Sequence, residues 1–296
     1  MRKVGFGLGE STESTLLTHL TIIMPIYNGA AHAAQSLHTV WDWLGTLDHE
    51  TELLVVDDGS GDATPAILAA FAREVERSAD AGQGNTPERR RFRMIRDDPN
   101  QGKGFAVRRG MLEACGRYRI FMDADLTYPI ENTGGILDAL ESGADLAIAS
   151  RTHADSRYVV APNFFRYLYT RHVMGRFFNL LVRMFVVGGV GDTQAGLKGA
   201  SRAAALDLFP RCRLTRFSFD VELLFVARRL GKRIDEVGVT FLYRKEPSTV
   251  RFFRDSVRMI TDMARIRWRG FRKRYDRPTP VEAILGHPAC APSSSE

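Results

Sequence analysis

Residues 52–64 read ELLVVDDGSGDAT, an apolar β-branched run that stops on two adjacent carboxylates, Asp57 and Asp58, and then turns through Gly-Ser-Gly-Asp. Such a run is a buried strand, and packing alone gives a buried strand no reason to finish on paired acids. Outward from it, similar runs recur as LTIIMP (20–25), RFRMIRD (91–97), RYRIFMDAD (117–125) and ADLAIAS (144–150). Helical patterns fall between them, near 31–44, 64–77, 104–115 and 133–142. Strands that alternate with helices and stay apolar along their length imply an α/β chain with a mostly parallel sheet covered on both faces. Ligands of such sheets gather at the carboxyl ends of the strands. Asp57, Asp58, Asp123 and Asp125 all fall at such ends.

FMDADL (121–126) is the sharpest local signal. Asp-x-Asp at a strand end lets Asp123 and Asp125 converge on one hard divalent cation, Mg²⁺ or Mn²⁺, with the oxygens of a substrate diphosphate completing its shell. A turn carrying two solvated acids looks the same in isolation, but a second acid-tipped strand in one sheet favours a ligand. NQGKGFAVRRG (100–110) joins a strand to a helix. Gly102 and Gly104 allow close backbone approach, a helix start favours anions, and Lys103 adds a point charge for phosphate. The stretch is neither a Walker A loop nor a GxGxxG turn, so the kinase and dehydrogenase fingerprints are both missing.

The 296 residues carry a net charge of +6, which is compatible with nucleic acid, an anionic membrane or a phosphorylated substrate. No helix-turn-helix, zinc-finger or RNA-recognition signature accompanies the basic residues, which disfavours nucleic acid. Cys115, Cys212 and Cys290 are widely spaced with no CxxC pair, and are expected as reduced thiols of a cytoplasmic protein without a zinc site. No window supplies the roughly 20 apolar residues of a spanning helix; FFNLLVRMFVVGGVG (177–191) comes nearest and is broken by Arg183 and its glycines. SADAGQGNTPERRR (78–91) reads as a surface insertion. Past residue 192 come a Gly-rich turn, helices near 201–208 and 219–230, and a strand near 234–243.

Pro25-Ile26-Tyr27-Asn28, VVDDGSGDAT, NQGKG and DAD, in this order and spacing, resemble the family-2 inverting glycosyltransferases over roughly residues 20–250. GKGFAVRRGMLEACGRYRIFMDADL, GDTQAGLKGASR (191–202) and FSFDVELLFVARRLG (217–231) are similar to segments of dolichyl-phosphate glucosyltransferases within that family. The resemblance implies a GT-A fold over 18–248, between a flexible tail (1–17), a basic amphipathic helix (249–274) and a second flexible tail (275–296). It implies a metal-dependent enzyme moving a hexose, glucose from UDP-glucose, to a polyprenyl or dolichyl phosphate. Pro25, Tyr27 and Asn28 would floor the nucleotide, Asp57 would meet its base or ribose with Asp58 close by, and Asp123 and Asp125 would hold the metal, with Ala124 between them also meeting the nucleotide sugar. Asp192, Gln194, Asp220, Glu222 and Arg202 would lie around the transferring sugar and acceptor, with Ser150 and Arg151 placed for a phosphate. After DAD this chain has Leu126-Thr127, where those enzymes usually carry a smaller residue.

A lipid phosphate is ionised at neutral pH and can attack without a general base, whereas a hydroxyl acceptor needs one, from Asp192, Asp220 or Glu222. Transfer to a soluble hydroxyl acceptor, and a GDP-mannose-dependent mannosyltransferase, are the alternatives kept open. A processive synthase lacks its QxxRW motif here, a nucleotidyltransferase its basic Gly-rich first loop, and a non-catalytic homologue would be expected to have lost acids that this chain retains. TVRFFRDSVRMITDMARIRWRGFRKR (249–274) sets Phe253, Val257, Ile260 and Ala264 on one face, flanked by Phe252, Met259 and Met263. Nine basic residues between 251 and 274 stand against two acidic ones, Asp255 and Asp262. That is the makeup of a helix lying in a membrane interface, and a core-packed helix with a solvated basic face accounts for it equally. Segment 164–187 repeats the mixture of aromatics and arginines, which favours peripheral contact with the cytoplasmic face of a membrane.

Overall fold

A computed structural model of the chain describes residues 18–80, 89–160, 182, 186–243, 252–288 and 290. The tail over 1–17, the tip of the insertion at 81–88 and nearly all of 164–187 lie outside the described residues. In chain order the elements are β1 (Leu20–Ile26), α1 (Ala33–Leu44), β2 (Thr51–Asp57), α2 (Thr64–Asp80), β3 (Arg90–Arg96), α3 (Lys103–Glu113), β4 (Tyr118–Met122), α4 (Asn132–Glu141), β5 (Leu146–Ser150), β6 (Arg157–Val160), β7 (Leu197–Ser201), α5 (Arg202–Leu208), α6 (Phe219–Arg229), β8 (Ile234–Gly238), β9 (Thr240–Tyr243), α7 (Phe252–Phe271) and α8 (Val281–Leu285).

Seven strands form one sheet in the order β3-β2-β1-β4-β7-β5-β8, parallel except for β7, which runs antiparallel to both β4 and β5. The apolar runs hide a period of two. Leu20, Ile22, Met24, Leu53 and Val55 face a core shared with α1, α2 and α4, while Ile23, Leu54 and Val56 face another shared with α3, α5 and α6. β1, β2, β4 and β5 are buried on both faces, so polar alternation is absent from them, whereas β3 and β8 at the two edges are only partly buried. β6 and β9 pair as a small parallel ribbon beside the main sheet. The single strand expected near 234–243 is therefore two, in two sheets, separated at Val239.

β7 lies mid-sheet although it reads LKGAS. Gly199 is required there, because a Cβ would press on Ile136, Ile120 and Leu140 at 2.8–2.9 Å. The glycine lets α4 lie close over β7.

The C-terminal region departs from expectation twice, at Met263 and in its tail, while the core-packed account of the helix is one of the two that its sequence leaves open. α7 is core on one side: Met263 and Ile266 are buried, Asp262 accepts a hydrogen bond from Ser218 Oγ at 2.8 Å, and Gly270 abuts the Phe225 ring. Met263, expected to flank the outward face, thus points inward; the side chains of 252–258 lie outside the described residues. Ile260, of the expected apolar face, is exposed, and so are Trp268 and Phe271. The second departure is the expected tail over 275–296. Tyr275 is fully buried, α8 buries Leu285, His287 pairs with Glu113 at 2.9 Å, and Cys290 forms a disulfide with Cys115. Two of the three cysteines expected as reduced thiols are therefore joined, which the 175-residue separation hides from any spacing rule. Cys212 is free and buried.

Candidate active site

β2 and β4, the parallel neighbours on either side of β1, deliver their acids to one end of the sheet, with Ile26 opposite Asp57 and Ile23 opposite Phe121. The loops beyond are laced together. Asn28 N donates to Ser60 Oγ at 2.9 Å, Gly61 N donates to Asn28 Oδ1 at 2.9 Å, and Gly29 N donates to Thr64 Oγ1 at 2.9 Å. Asn28 takes a positive φ of 49°, which asparagine tolerates better than most residues. Tyr27 is left half exposed at the rim.

The paired acids do different work. Asp57 accepts Ser60 N through Oδ1 at 2.9 Å; its buried Oδ2 lies 3.3 Å from Arg96 Nη1 with no hydrogen bond of good geometry. Asp58 holds the NQGKG loop: Oδ1 accepts Gln101 N at 2.7 Å, and Oδ2 accepts Gly102 N and Asn100 Nδ2, each at 2.8 Å. Burial raises the Asp58 carboxyl above its usual range, against the two N–H groups that lower it, and nearby Asp97 and Asp57 raise it further. Gly59 (φ 74°) permits this approach, since a Cβ there would meet Asn100 N at 2.8 Å.

Gly102 enters α3 with φ 102° and leaves no room for a Cβ, 2.5 Å from Thr215 O. Lys103 is therefore the first residue of α3, and its Nζ lies 2.5 Å from Asp123 Oδ1. Gly196 backs Asp123 so closely that a Cβ would overlap the carboxylate. Asp125 Oδ1 accepts Thr127 N at 2.9 Å. Between them Leu126 has φ 48° while burying its side chain, a backbone region that favours glycine. That geometry is why a smaller residue suits this place.

Deeper, Lys198 on β7 is fully buried, and its Nζ donates to Asp220 Oδ1 and Ala195 O, each at 2.5 Å. Burial raises the Asp220 carboxyl, the Lys198 and Lys103 ammoniums oppose that, and Asp123 adds to it, leaving it above the usual range. On the flank nearer β5, Arg151 grips Asp192 with both arms, Nε to Oδ2 at 2.6 Å and Nη2 to Oδ1 at 3.0 Å. The backbone N–H groups of Arg151 and Gln194 complete the set. Burial would raise Asp192, but Arg151 outweighs it and holds the carboxylate below its ordinary value. Beside this pair lies a cavity of about 520 Å³ lined by Ser150, Thr152, His153, Ala154, Gly191 and Glu236.

A sequence model described as "Glycosyl transferase family 2" matches residues 21–201, the span that contains the acid-tipped strands. The chain belongs to that family. It is a glycosyltransferase, and its sheet and flanking helices are the GT-A fold expected from the motifs. Relatives include the dolichyl-phosphate beta-glucosyltransferase of Drosophila melanogaster, 32% identical over 240 residues, covering 77% of this chain and 68% of that one. The dolichyl-phosphate beta-glucosyltransferase of Dictyostelium discoideum is 28% identical over 260 residues, covering 85% and 74%. Among solved structures, glucosyl-3-phosphoglycerate synthase from Mycobacterium tuberculosis in complex with UDP superposes with a TM-score of 0.58 at 17% identity, covering 95% of this chain and 88% of that one. The same enzyme in complex with Mn²⁺, UDP-glucose and phosphoglyceric acid gives 0.57 at 18% identity, covering 94% and 87%. At such identity the likeness is one of fold.

Within this glycosyltransferase, two residues expected at the sugar or acceptor are elsewhere. Glu222 is two residues along α6 from Asp220, so it faces away from it. It is fully buried, and its oxygens accept Arg213 N at 2.7 Å, Leu214 N at 2.6 Å and Tyr275 Oη at 2.7 Å, with Arg269 at 3.3 Å. That is a structural carboxylate. Arg202 follows β7, whose end pairs with the start of β4, at the opposite end of these strands from Asp123. Its Nη2 donates to Cys290 O at 2.9 Å. Buried Arg119, pushed down to about 9 by burial and then by the charge of Arg202, lies at that same end. Lys198, Arg96 and Gly196 carry site geometry that the sequence reading missed. A lysine inside a strand was the available signal for the first of them.

Proposed function

We propose that the protein transfers glucose from UDP-glucose to a polyprenyl or dolichyl phosphate, with inversion. The observation that carries the acceptor class is the state of the three candidate bases. Arg151 holds Asp192 below its ordinary value, Asp220 is buried with Oδ1 bonded to Lys198, and Glu222 is enclosed in structural contacts. A hydroxyl acceptor would need one of them to take its proton; a phosphate acceptor is already ionised and needs none. The names of the two relatives point to the same acceptor and sugar.

In this reading Tyr27 and Asn28 meet the nucleotide, Asp57 offers its under-bonded Oδ2 to a base or ribose donor, and Lys103 faces the diphosphate. Ser150 and Thr152, whose hydroxyls are 3.2 Å apart, line the cavity assigned to the acceptor phosphate. Arg151 and Gln194 orient Asp192 beside it. Asp123 and Asp125 supply hard carboxylate oxygens, the donor set that suits Mg²⁺ or Mn²⁺. Among the described residues no cluster of three or more His, Cys, Asp or Glu side chains could hold an ion by itself, so substrate oxygens would have to supply the rest of its shell. Bound there, the ion would supply positive charge for the departing nucleotide diphosphate.

The test is purified protein with Mg²⁺, labelled UDP-glucose and polyprenyl phosphate, followed by organic extraction. Label should enter the organic phase from UDP-glucose and not from GDP-mannose. Transfer from GDP-mannose alone would move the protein to the mannosyl subfamily, and label confined to a soluble product would favour the hydroxyl acceptor.

A lipid acceptor must be reached at a membrane surface. No helix among the described residues is long and apolar enough to cross one. α7 offers an outward stripe of Ile260, Trp268 and Phe271, the last 85% exposed, beside Arg267, Arg272, Lys273 and Arg274. Aromatics flanked by cations suit an anionic interface, where each basic residue contributes about 1 kcal/mol. Trp268→Ala with Phe271→Ala should weaken pelleting with anionic vesicles several-fold and leave the melting temperature unchanged; unaltered pelleting would remove α7 from the membrane reading. A nucleotide-sugar donor by itself points to the cytoplasmic face, where thiols stay reduced. The Cys115–Cys290 pair weighs against a reducing compartment.

A further inference from the structure

We propose that Lys103 is a built-in counter-cation which competes with the divalent ion for Asp123 and is handed over to the donor diphosphate when the two ligands bind. The inference rests on the donor-site reading above and adds an order to it: the ion binds poorly alone and well with the nucleotide.

Both partners are held in place. Lys103 cannot retreat along the chain, because Asp58 bonds the N–H groups of Gln101 and Gly102 and Thr215 O closes the space at Gly102. Asp123 lies against Gly196, and its backbone N donates to Gly196 O at 3.1 Å. The ammonium lies 2.5 Å from Asp123 Oδ1, on a carboxylate that the divalent ion also needs.

Asp220 is the other acid near enough to act on Lys103, together with Asp125. Yet Asp220 is already bonded to Lys198 at 2.5 Å, so it adds attraction without offering Lys103 an equivalent contact. The buried Lys198–Asp220 pair thereby leaves Asp123 as the seat of the Lys103 ammonium. Two cations on one carboxylate repel. An ion arriving alone must displace or crowd Lys103, whose other acid neighbours are Asp220, already bonded to Lys198, and Asp125, which the ion also needs.

A diphosphate changes that balance. It provides oxygens for the ion's shell and an anion for the freed ammonium. The Lys103 side chain is a quarter exposed and carries a point charge on a flexible four-carbon stem, so it can follow the phosphate. Linkage then requires ion and donor to strengthen each other's binding by the same factor.

The experiment measures Mn²⁺ binding by the electron paramagnetic resonance signal of the free ion, without and with UDP. Lys103→Met should tighten Mn²⁺ binding in the absence of UDP by about tenfold, the scale of one charge contact at a partly desolvated site. It should also weaken UDP binding in the absence of metal. Lys103→Arg, which keeps the cation, should resemble the wild type in Mn²⁺ binding. If Lys103→Met binds Mn²⁺ alone no more tightly than wild type, while Asp125→Ala abolishes binding of the Mn²⁺–UDP pair, the competition is overturned and the donor site stands. Absence of Mn²⁺ binding in every protein, with or without UDP, would overturn both.

Discussion

Asp125→Ala lowers glucosyl transfer by about a hundred- to a thousandfold, the cost of removing one preorganised electrostatic contact from a charged transition state. The melting temperature moves by only about 3 °C, because the side chain accepts Thr127 N at the tip of a loop and contributes little to packing. Asp123→Ala has the same effect on turnover, and it also deprives Lys103 of its direct partner. Reversible chelation of the native protein reproduces the loss. Initial rates with labelled UDP-glucose, beside a thermal melt of each variant, check the set. Wild-type turnover in EDTA, or in the Asp125→Ala protein, would remove the metal–diphosphate reading.

Glu222→Ala has the opposite signature. It strips a fully buried carboxylate from two backbone N–H groups, the Tyr275 hydroxyl and the Arg269 guanidinium. Leaving such a set without its anion costs about 3–5 kcal/mol, which for a chain of this size lowers the melting temperature by roughly 10 °C. Burial raises the Tyr275 phenol well above its usual range, and Glu222 raises it further, so the phenol stays neutral and donates. The measurement is a thermal or urea melt of Glu222→Ala and Glu222→Gln. A catalytic carboxylate would behave otherwise, with Glu222→Gln melting like wild type while losing turnover.

The contrast between these two acids also shows where sequence reading ends. Asp220 and Glu222 stand two residues apart in FDVELL, both in the first turn of α6, where acids suit the helix dipole. Nothing in that spacing says which one meets the substrate side of the molecule. The helix settles it, because two residues are more than half a turn. Asp220 is delivered to Lys198 and the neighbourhood of Lys103, and Glu222 to Tyr275 and Arg269, which are 53 and 47 residues further along the chain. The same limit applies to GDTQAGLKGASR, where Asp192 ends at the acid-rich end of the sheet and Arg202 at the other. β7 lies between them and runs antiparallel to its neighbours.

By itself the sequence determined the sheet and its chemistry, since both are written in local pattern. Apolar β-branched runs specify strands buried on two faces, and the acids that end them at Asp57, Asp58, Asp123 and Asp125 need only chain direction to be placed at one end. The family motifs lie in those same short stretches. Tertiary structure alone decided which charges meet. The Lys103–Asp123 contact, the Lys198–Asp220 pair, the Arg151–Asp192 clamp and the Cys115–Cys290 link all join residues far apart in sequence. It also decided which side of α7 is core, because a helix with apolar groups on more than one side is oriented only by the surface it packs against. Here that surface is Ser218, Phe225 and the interior around Ile266, and what it leaves outside is Ile260, Trp268 and Phe271.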